Sequence, residues 1–295
     1  MKRKVFRDPV LQKQFEENSY CVVDLFTPEE VERLKEIYFD NRISEQNALE
    51  VTLKNANFEQ NKKIKNLSAA VALPRVKEVL LDYRMLHSGF LAKIPGHYNE
   101  IKLHQDSGFT DETKYQALNV WCPLTDVDEN NGAVWIVKHS DKFFSGIRGQ
   151  PFKEYDCTDI SKQVAGKLGA MVKMKAGQGL IYDVRLFHYS WQNTTSDIRV
   201  AGNLIMIPEE AIAYYYHFNK AEGVIEKYEI DDDFMMRYFT EYLPTGNIKA
   251  KLAERIATKG AKKVSYEEFE KKYHEYNSPP KRKVSDYIAR ALGFN

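Results

Sequence analysis

Ile101-Lys102-Leu103-His104-Gln105-Asp106-Ser107-Gly108 is the stretch on which the fold turns. Its first half is a short apolar run and its second half is turn chemistry. A histidine that closes a strand, with a carboxylate two residues on, can point both groups into the mouth of a β structure. Comparable runs lie on either side, at 89–95, 116–125, 133–137, 170–174, 180–183, 187–191 and 198–208, with Gly, Asn, Asp and Pro between them. Together with 101–104 they make eight short strands, the pattern of a closed or double-sheet β architecture.

Upstream the pattern is helical. Residues 20–26 read as one strand, and Thr27-Pro28-Glu29-Glu30 then opens a helix. Thr27 can cap, Pro28 suits the first helical position and Glu30 can close a capping box. Val31, Leu34, Ile37 and Tyr38 follow at helical spacing. Residues 41–70 are polar and Asn/Lys-rich and read as a long loop with some helix, whereas 75–86 reads as a helix. Residues 140–169 interrupt the strands with an irregular, lid-like insertion. From 246 the chain is highly charged and reads as helical, with a second capping-box start at Ser265-Tyr266-Glu267-Glu268. The expected fold class is therefore α+β, mainly β. A jelly-roll core with supporting N-terminal helices would occupy 1–245, and a helical extension, 246–295, would pack on the core or at an interface.

Composition excludes several function classes. Lys+Arg number 43 and Asp+Glu 42 in 295 residues, so no strong field is available for nucleic acid or an anionic membrane. Lys281-Arg282-Lys283, after Pro279-Pro280, reads as a solvated linker. Hydrophobic residues make up 43%, enough for a substantial core. Cys21, Cys122 and Cys157 are far apart and form no CxxC, which argues against a disulfide framework or a zinc knuckle and fits a reducing, cytoplasmic setting. No apolar run follows the opening charges, so no signal peptide is expected, and no run is long enough to span a membrane. The oligomeric state is left open.

Two HxD triplets are present, His104-Gln105-Asp106 and His139-Ser140-Asp141. With 7 His and 42 acidic residues, about one would arise by chance. His188, after the turn-and-strand segment 177–182, offers a second imidazole. Two imidazoles and a carboxylate can hold one face of a ferrous ion and leave the other open. Ser190 shares the strand face of His188. Arg199 shares a face with Ala201, Asn203 and Ile205, and a guanidinium among apolar neighbours needs an anionic partner. That fork with a serine hydroxyl can clamp the far carboxylate of an oxo-acid. Residues 117–122 alternate: Leu118, Val120 and Cys122 should pack outward, while Ala117, Asn119 and Trp121 can line a cavity. Asn119 is then a candidate carboxylate donor and Trp121 a wall. A packed histidine, a surface ion pair and ordinary core packing are the competing readings of His188, Arg199 and the strand 117–122. Candidates for the substrate side are Lys93, Trp135, His139 and Arg148.

At these residues the chain resembles the phytanoyl-CoA dioxygenase family of iron(II)- and 2-oxoglutarate-dependent oxygenases, over about 15–208. His104-Gln105-Asp106 is similar to the family's first metal motif, including the middle glutamine. Asn130-Asn131-Gly132-Ala133 and Val137-Lys138-His139-Ser140 resemble its NNG…PGSH segment, with Val-Lys where Pro-Gly is usual. His188-Tyr189-Ser190 and Arg199 resemble the distal ligand and the co-substrate clamp. The resemblance implies a double-stranded β-helix, a cupin-like jelly roll. It selects His104, Asp106 and His188 as iron(II) ligands over the His139 triplet, whose histidine would lie beside the site. It implies Arg199, Ser190, Trp121, Asn119 and Gln105 around 2-oxoglutarate, with O2 as oxidant and succinate and CO2 as products. Halogenating relatives lack the carboxylate, so Asp106 points to hydroxylation of an aliphatic C–H in a small polar or acyl-type metabolite, CoA- or carrier-linked ones included. Desaturation, cyclisation and epimerisation stay open, as does a non-catalytic jelly-roll binding module.

Overall fold

The computed structural model describes residues 3–42, 47–54, 57–149 and 152–278. In chain order its strands are β1 (Tyr20–Asp24), β2 (Leu49–Val51), β3 (Tyr83–Lys93), β4 (Ile101–His104), β5 (Leu118–Pro123), β6 (Val134–Ile136), β7 (Tyr155–Asp156) and β8 (Ala170–Met171). They continue with β9 (Gln178–Asp183), β10 (His188–Ser190), β11 (Arg199–Pro208), β12 (Tyr214–Asn219), β13 (Val224–Glu229), β14 (Lys251–Ala257) and β15 (Lys262–Lys263). A six-stranded sheet has the order β1-β9-β5-β11-β3-β2, and a four-stranded sheet the order β4-β10-β6-β8. Trp121, Leu180, Tyr182 and Ala201 of the first share one buried cluster with Val134 and Ile136 of the second, so the two sheets face each other. This is the expected jelly-roll arrangement, mainly β with helices outside it.

Helices cover the outer faces. In β5 Leu118, Val120 and Cys122 do face outward, packing with Ile181, Leu204 and Met206 against Phe15 of α1 (Pro9–Asn18) and Ala72 and Val76 of α3 (Phe58–Val79). Between them in sequence, α2 (Pro28–Asp40) starts with the full capping box and buries Val31, Leu34, Ile37 and Tyr38. Behind the four-stranded sheet, Leu103, Phe187 and Tyr189 pack against Phe143, Val164 and Phe269.

Four expectations need correction. The polar stretch 41–70 holds most of α3, which runs through Pro74. Ile64, Ser68, Ala72 and Val76 recur every fourth residue on its buried side, and one of the four is polar, which hid the stripe. The helix expected over 75–86 stops at Val79, and β3 begins at Tyr83 after Asp82 turns at φ 54°. The insertion 140–169 is a packed layer with its own helix, Ser161–Lys167, since Phe143, Phe144, Ile160 and Val164 bury their side chains there. The tail is only partly helical. β14 pairs with β13 in a three-stranded sheet, because an open strand edge outweighs the helix propensity of its Leu, Ala, Glu and Lys residues. The helix Tyr266–Asn277 follows, with Ser265 accepting from the Glu268 amide at 3.1 Å. Lys281-Arg282-Lys283 lies outside the described residues. No helix among the described residues is long and apolar enough to cross a membrane.

Candidate metal centre

His104 and His188 are direct cross-strand partners in β4 and β10. Register alone therefore brings the two imidazoles together, with ring centroids 4.2 Å apart. Asp106 follows β4, its amide donating to the Val184 carbonyl at 2.9 Å. Its Oδ1 lies 3.8 Å from Nε2 of both histidines. That is less than twice a metal–ligand bond of about 2.1 Å, so each pair can share one ion. Among the described residues this is the group of side chains able to hold a metal ion, with all ligand atoms within 4.8 Å of one another.

The surroundings orient each donor. His104 Nδ1 donates to the Lys102 carbonyl at 2.8 Å, and His188 Nδ1 to the Leu186 carbonyl at 2.9 Å. A carbonyl only accepts, so Nδ1 carries the hydrogen and the Nε2 lone pairs are left for a metal. Asn119 Nδ2 donates to Asp106 Oδ2 at 2.8 Å, which turns Oδ1 toward the histidines. Asn203 in turn donates to Asn119 Oδ1. Burial and the neighbouring His188 hold the His104 imidazole well below its ordinary pKa. Burial pushes the Asp106 carboxyl up, but His188, His104 and the Asn119 hydrogen bond outweigh it and keep it below the usual range. Both groups are thus in the unprotonated form that a metal requires.

Arg199 forms the second half of the site. It is buried, stacks 5.4 Å from the Trp121 ring, and makes one long bond from Nε to the Asn131 carbonyl, 3.4 Å. Its Nη1 is buried without a partner among the described residues, and burial pushes the guanidinium down to about 9. An uncompensated buried cation of this kind is poised for an anion. A cavity of about 120 Å³ joins Arg199, Ser190, Trp121 and Asn119 to His104, Asp106 and His188.

The other candidates are placed differently. Gln105 does not line that cavity; its side-chain amide donates to the Arg185 carbonyl. Arg148 is buried, but its Nε donates to the Asp106 carbonyl at 2.8 Å and its Nη2 pairs with Glu112, so it braces the loop instead of facing a ligand. His139 and Trp135 line none of the cavities that meet the triad. His139, at φ 61°, turns toward Ser19 and Lys142, and Trp135 stacks on Tyr189 at 5.6 Å. Strand alternation sends Trp135 to the outer face, which a sequence cannot orient without knowing the register. Lys93 is the cross-strand partner of Arg199, and its Nζ donates to the Ser190 carbonyl at 3.1 Å and to that of Trp191. Gly132, at φ 80°, makes this possible, since a Cβ there would come 2.6 Å from the Trp191 carbonyl oxygen and 3.0 Å from Lys93. Two further residues, given no place at the site from sequence, stand beside it. The Tyr182 hydroxyl lies 3.3 Å from His188 Nε2, and Lys153 Nζ donates to the Gln105 carbonyl at 2.7 Å. The inward phase of β9 would have found Tyr182; nothing local singles out Lys153.

With this geometry in place, the comparisons decide the family. The family model described as phytanoyl-CoA dioxygenase matches residues 15–201. The chain belongs to the phytanoyl-CoA dioxygenase family. A phytanoyl-CoA dioxygenase of Arabidopsis thaliana is 27% identical over 143 residues, 44% of this chain and 47% of that protein. The match thus spans about half the length of the curated relatives. Among solved structures, the non-heme alpha-ketoglutarate-dependent carbocyclase SnoK from nogalamycin biosynthesis superposes with a TM-score of 0.50 at 17% identity, covering 70% of this chain and 86% of that one. HygX from Streptomyces hygroscopicus, solved with nickel, 2-oxoglutarate and hygromycin B, gives 0.50 at 14%, covering 69% and 88%. At such identities the likeness shows a shared fold.

Proposed function

We propose that this phytanoyl-CoA dioxygenase family member is an iron(II)- and 2-oxoglutarate-dependent oxygenase that hydroxylates an aliphatic C–H of a small-molecule substrate. The observation that carries the reading is the junction of two features in one cavity. A His-Asp-His set whose Nδ1 atoms are held by backbone carbonyls lies beside a buried guanidinium that has no anionic partner among the described residues. Either feature alone has ordinary explanations; a dicarboxylate that chelates a metal satisfies both. The binding of nickel and 2-oxoglutarate by HygX, a protein of the same fold, supports the pairing by analogy.

When bound, iron(II) with 2-oxoglutarate and oxygen supplies an oxidative decarboxylation that releases succinate and carbon dioxide and oxidises the substrate. The chain's own residues do the positioning. His104 and His188 present Nε2 because backbone carbonyls hold Nδ1. Asp106 presents Oδ1 because Asn119 holds Oδ2. Arg199 and Ser190 receive the distant carboxylate of the co-substrate, with Trp121 as the wall against the guanidinium. Ala201, Leu180 and Ile136 pack against Trp121, Tyr182 and Val134, which line the cavity, and so hold its walls in place. Retention of Asp106 favours hydroxylation over halogen transfer. The test is succinate release under air with iron(II) and 2-oxoglutarate, compared between wild type and Asp106→Ala. Equal release from both would sink the assignment.

A further inference from the structure

A second cavity, about 230 Å³, shares Asp106, Asn119 and Asn203 with the Arg199 cavity but does not reach Arg199. Its lining is mixed: Leu53, Phe109, Ile205, Met235 and Phe239 are apolar, while Thr52, Gln105, Ser107 and Asn119 are polar. Two polar groups are set into those walls with unused capacity. His87 is buried, and its Nδ1 has no hydrogen-bond partner among the described residues. Burial, with Lys65 adding to it, pushes this imidazole down to about 3. Lys153 stands where the cavity meets His104 and Gln105. Its Nζ donates to the Gln105 carbonyl, and no carboxylate of the described residues lies within ion-pair distance. Burial pushes this ammonium down as well, while Asp106 opposes the shift. Gly89 completes the wall: a Cβ there would come 2.6 Å from Thr52 Oγ1 and 3.4 Å from His87 Nε2, so only bare backbone fits.

A half-buried ammonium bonded to one carbonyl, with no carboxylate of the described residues at ion-pair distance, is an incomplete arrangement that an oxyanion would complete. We propose that this cavity receives the molecule to be oxidised, and that it selects an apolar body carrying one oxyanion, a carboxylate or a phosphate, seated on Lys153. What is oxidised there rests on the reading of His104, Asp106 and His188 as the metal centre; the preference for an acid does not. A third cavity, walled by Phe152, Phe187 and Phe218, also reaches Lys153, but it touches His104 without Asp106 and so stands further round from the shared carboxylate.

The test is calorimetric titration of the full chain, nickel-loaded with 2-oxoglutarate and again metal-free, using octanoate, octyl phosphate and octanol as probes. One of the two acids should bind about tenfold or more tighter than octanol, the worth of a charge-assisted hydrogen bond. Which acid wins identifies the oxyanion. Lys153→Met should bring acid and alcohol to within about twofold, and Lys153→Arg should keep the preference. The wild-type comparison needs no variant: octanol binding as tightly as both acids, or none of the three binding at millimolar concentration, overturns the proposal. So does a folded Lys153→Met that keeps the acid preference. A chain that binds nickel and 2-oxoglutarate yet shows no acid preference refutes this inference alone. A chain that prefers acids yet binds neither nickel nor 2-oxoglutarate refutes the metal-centre reading and leaves this site standing.

Discussion

Replacing Arg199 by methionine should have opposite effects on the free and the liganded protein. In the free chain the guanidinium is buried, one nitrogen lacks a partner among the described residues, and burial pushes its pKa down from the ordinary arginine range to about 9. Since each unit is worth about 1.4 kcal/mol, holding the charge there costs on the order of 5 kcal/mol. The folded pKa lies below the unfolded one, so this cost is complete below about pH 9 and is lifted only as pH rises from there toward the ordinary arginine range. Methionine removes the cost and forfeits the stacking on Trp121, roughly 1–2 kcal/mol. The free variant should therefore melt no lower than wild type. With 2-oxoglutarate the order reverses. Two charge-assisted bonds to a carboxylate are worth roughly 3 kcal/mol or more, so the variant should bind at least about a hundredfold more weakly. The assay is thermal unfolding of nickel-loaded protein with and without 2-oxoglutarate. Co-substrate at about a hundred times its Kd should stabilise wild type by about 2.7 kcal/mol, or roughly 5 °C, and leave the variant unshifted. A variant that melts far below wild type when free, yet still responds to 2-oxoglutarate, would show that Arg199 is a structural cation and refute the reasoning.

Other perturbations follow from the same geometry. Asn119→Leu leaves Asp106 Oδ2 without its donor and should weaken nickel binding about 10- to 100-fold by calorimetry, with the fold intact by circular dichroism. His87, held neutral by burial at a pKa of about 3, makes the protein acid-sensitive. Its folded pKa lies below the unfolded value, so stability falls as pH drops below about 6.5, by up to about 1.4 kcal/mol per pH unit, and His87→Leu should flatten that slope in denaturant melts. Phe269→Ala empties a fully buried position against Phe143 and Phe187 and should cost about 3–5 kcal/mol in urea unfolding, as expected if the tail helix braces the sheet that carries His188.

The jelly roll was legible because its strands are short, apolar and separated by turn residues, and the eight expected runs coincide with β3–β6 and β8–β11 to within a few residues at most ends, β3 excepted. The inward and outward phases of β5 were legible for the same reason. Helix α3 was not, because its buried stripe includes polar residues and its proline sits mid-helix. Strand β14 was not, because its pairing is a long-range event with no local signature. At the site, His104, Asp106, His188, Ser190, Trp121 and Arg199 converge as the spacing suggested. Lys93, Arg148, Trp135 and His139 show the limit of that reasoning. Composition marks them as polar or aromatic and near the right strands, but register and left-handed turns decide which way each faces. Lys153 shows the converse: its neighbours in space, Gln105 and the triad, are far away in sequence.

The most direct test of the central claim is an anaerobic absorbance titration of the full chain with iron(II) and then 2-oxoglutarate. A visible charge-transfer band should appear that requires both additions, saturates at one equivalent of iron, and is absent from Asp106→Ala. No band in wild type, or the same band in Asp106→Ala, would contradict that claim.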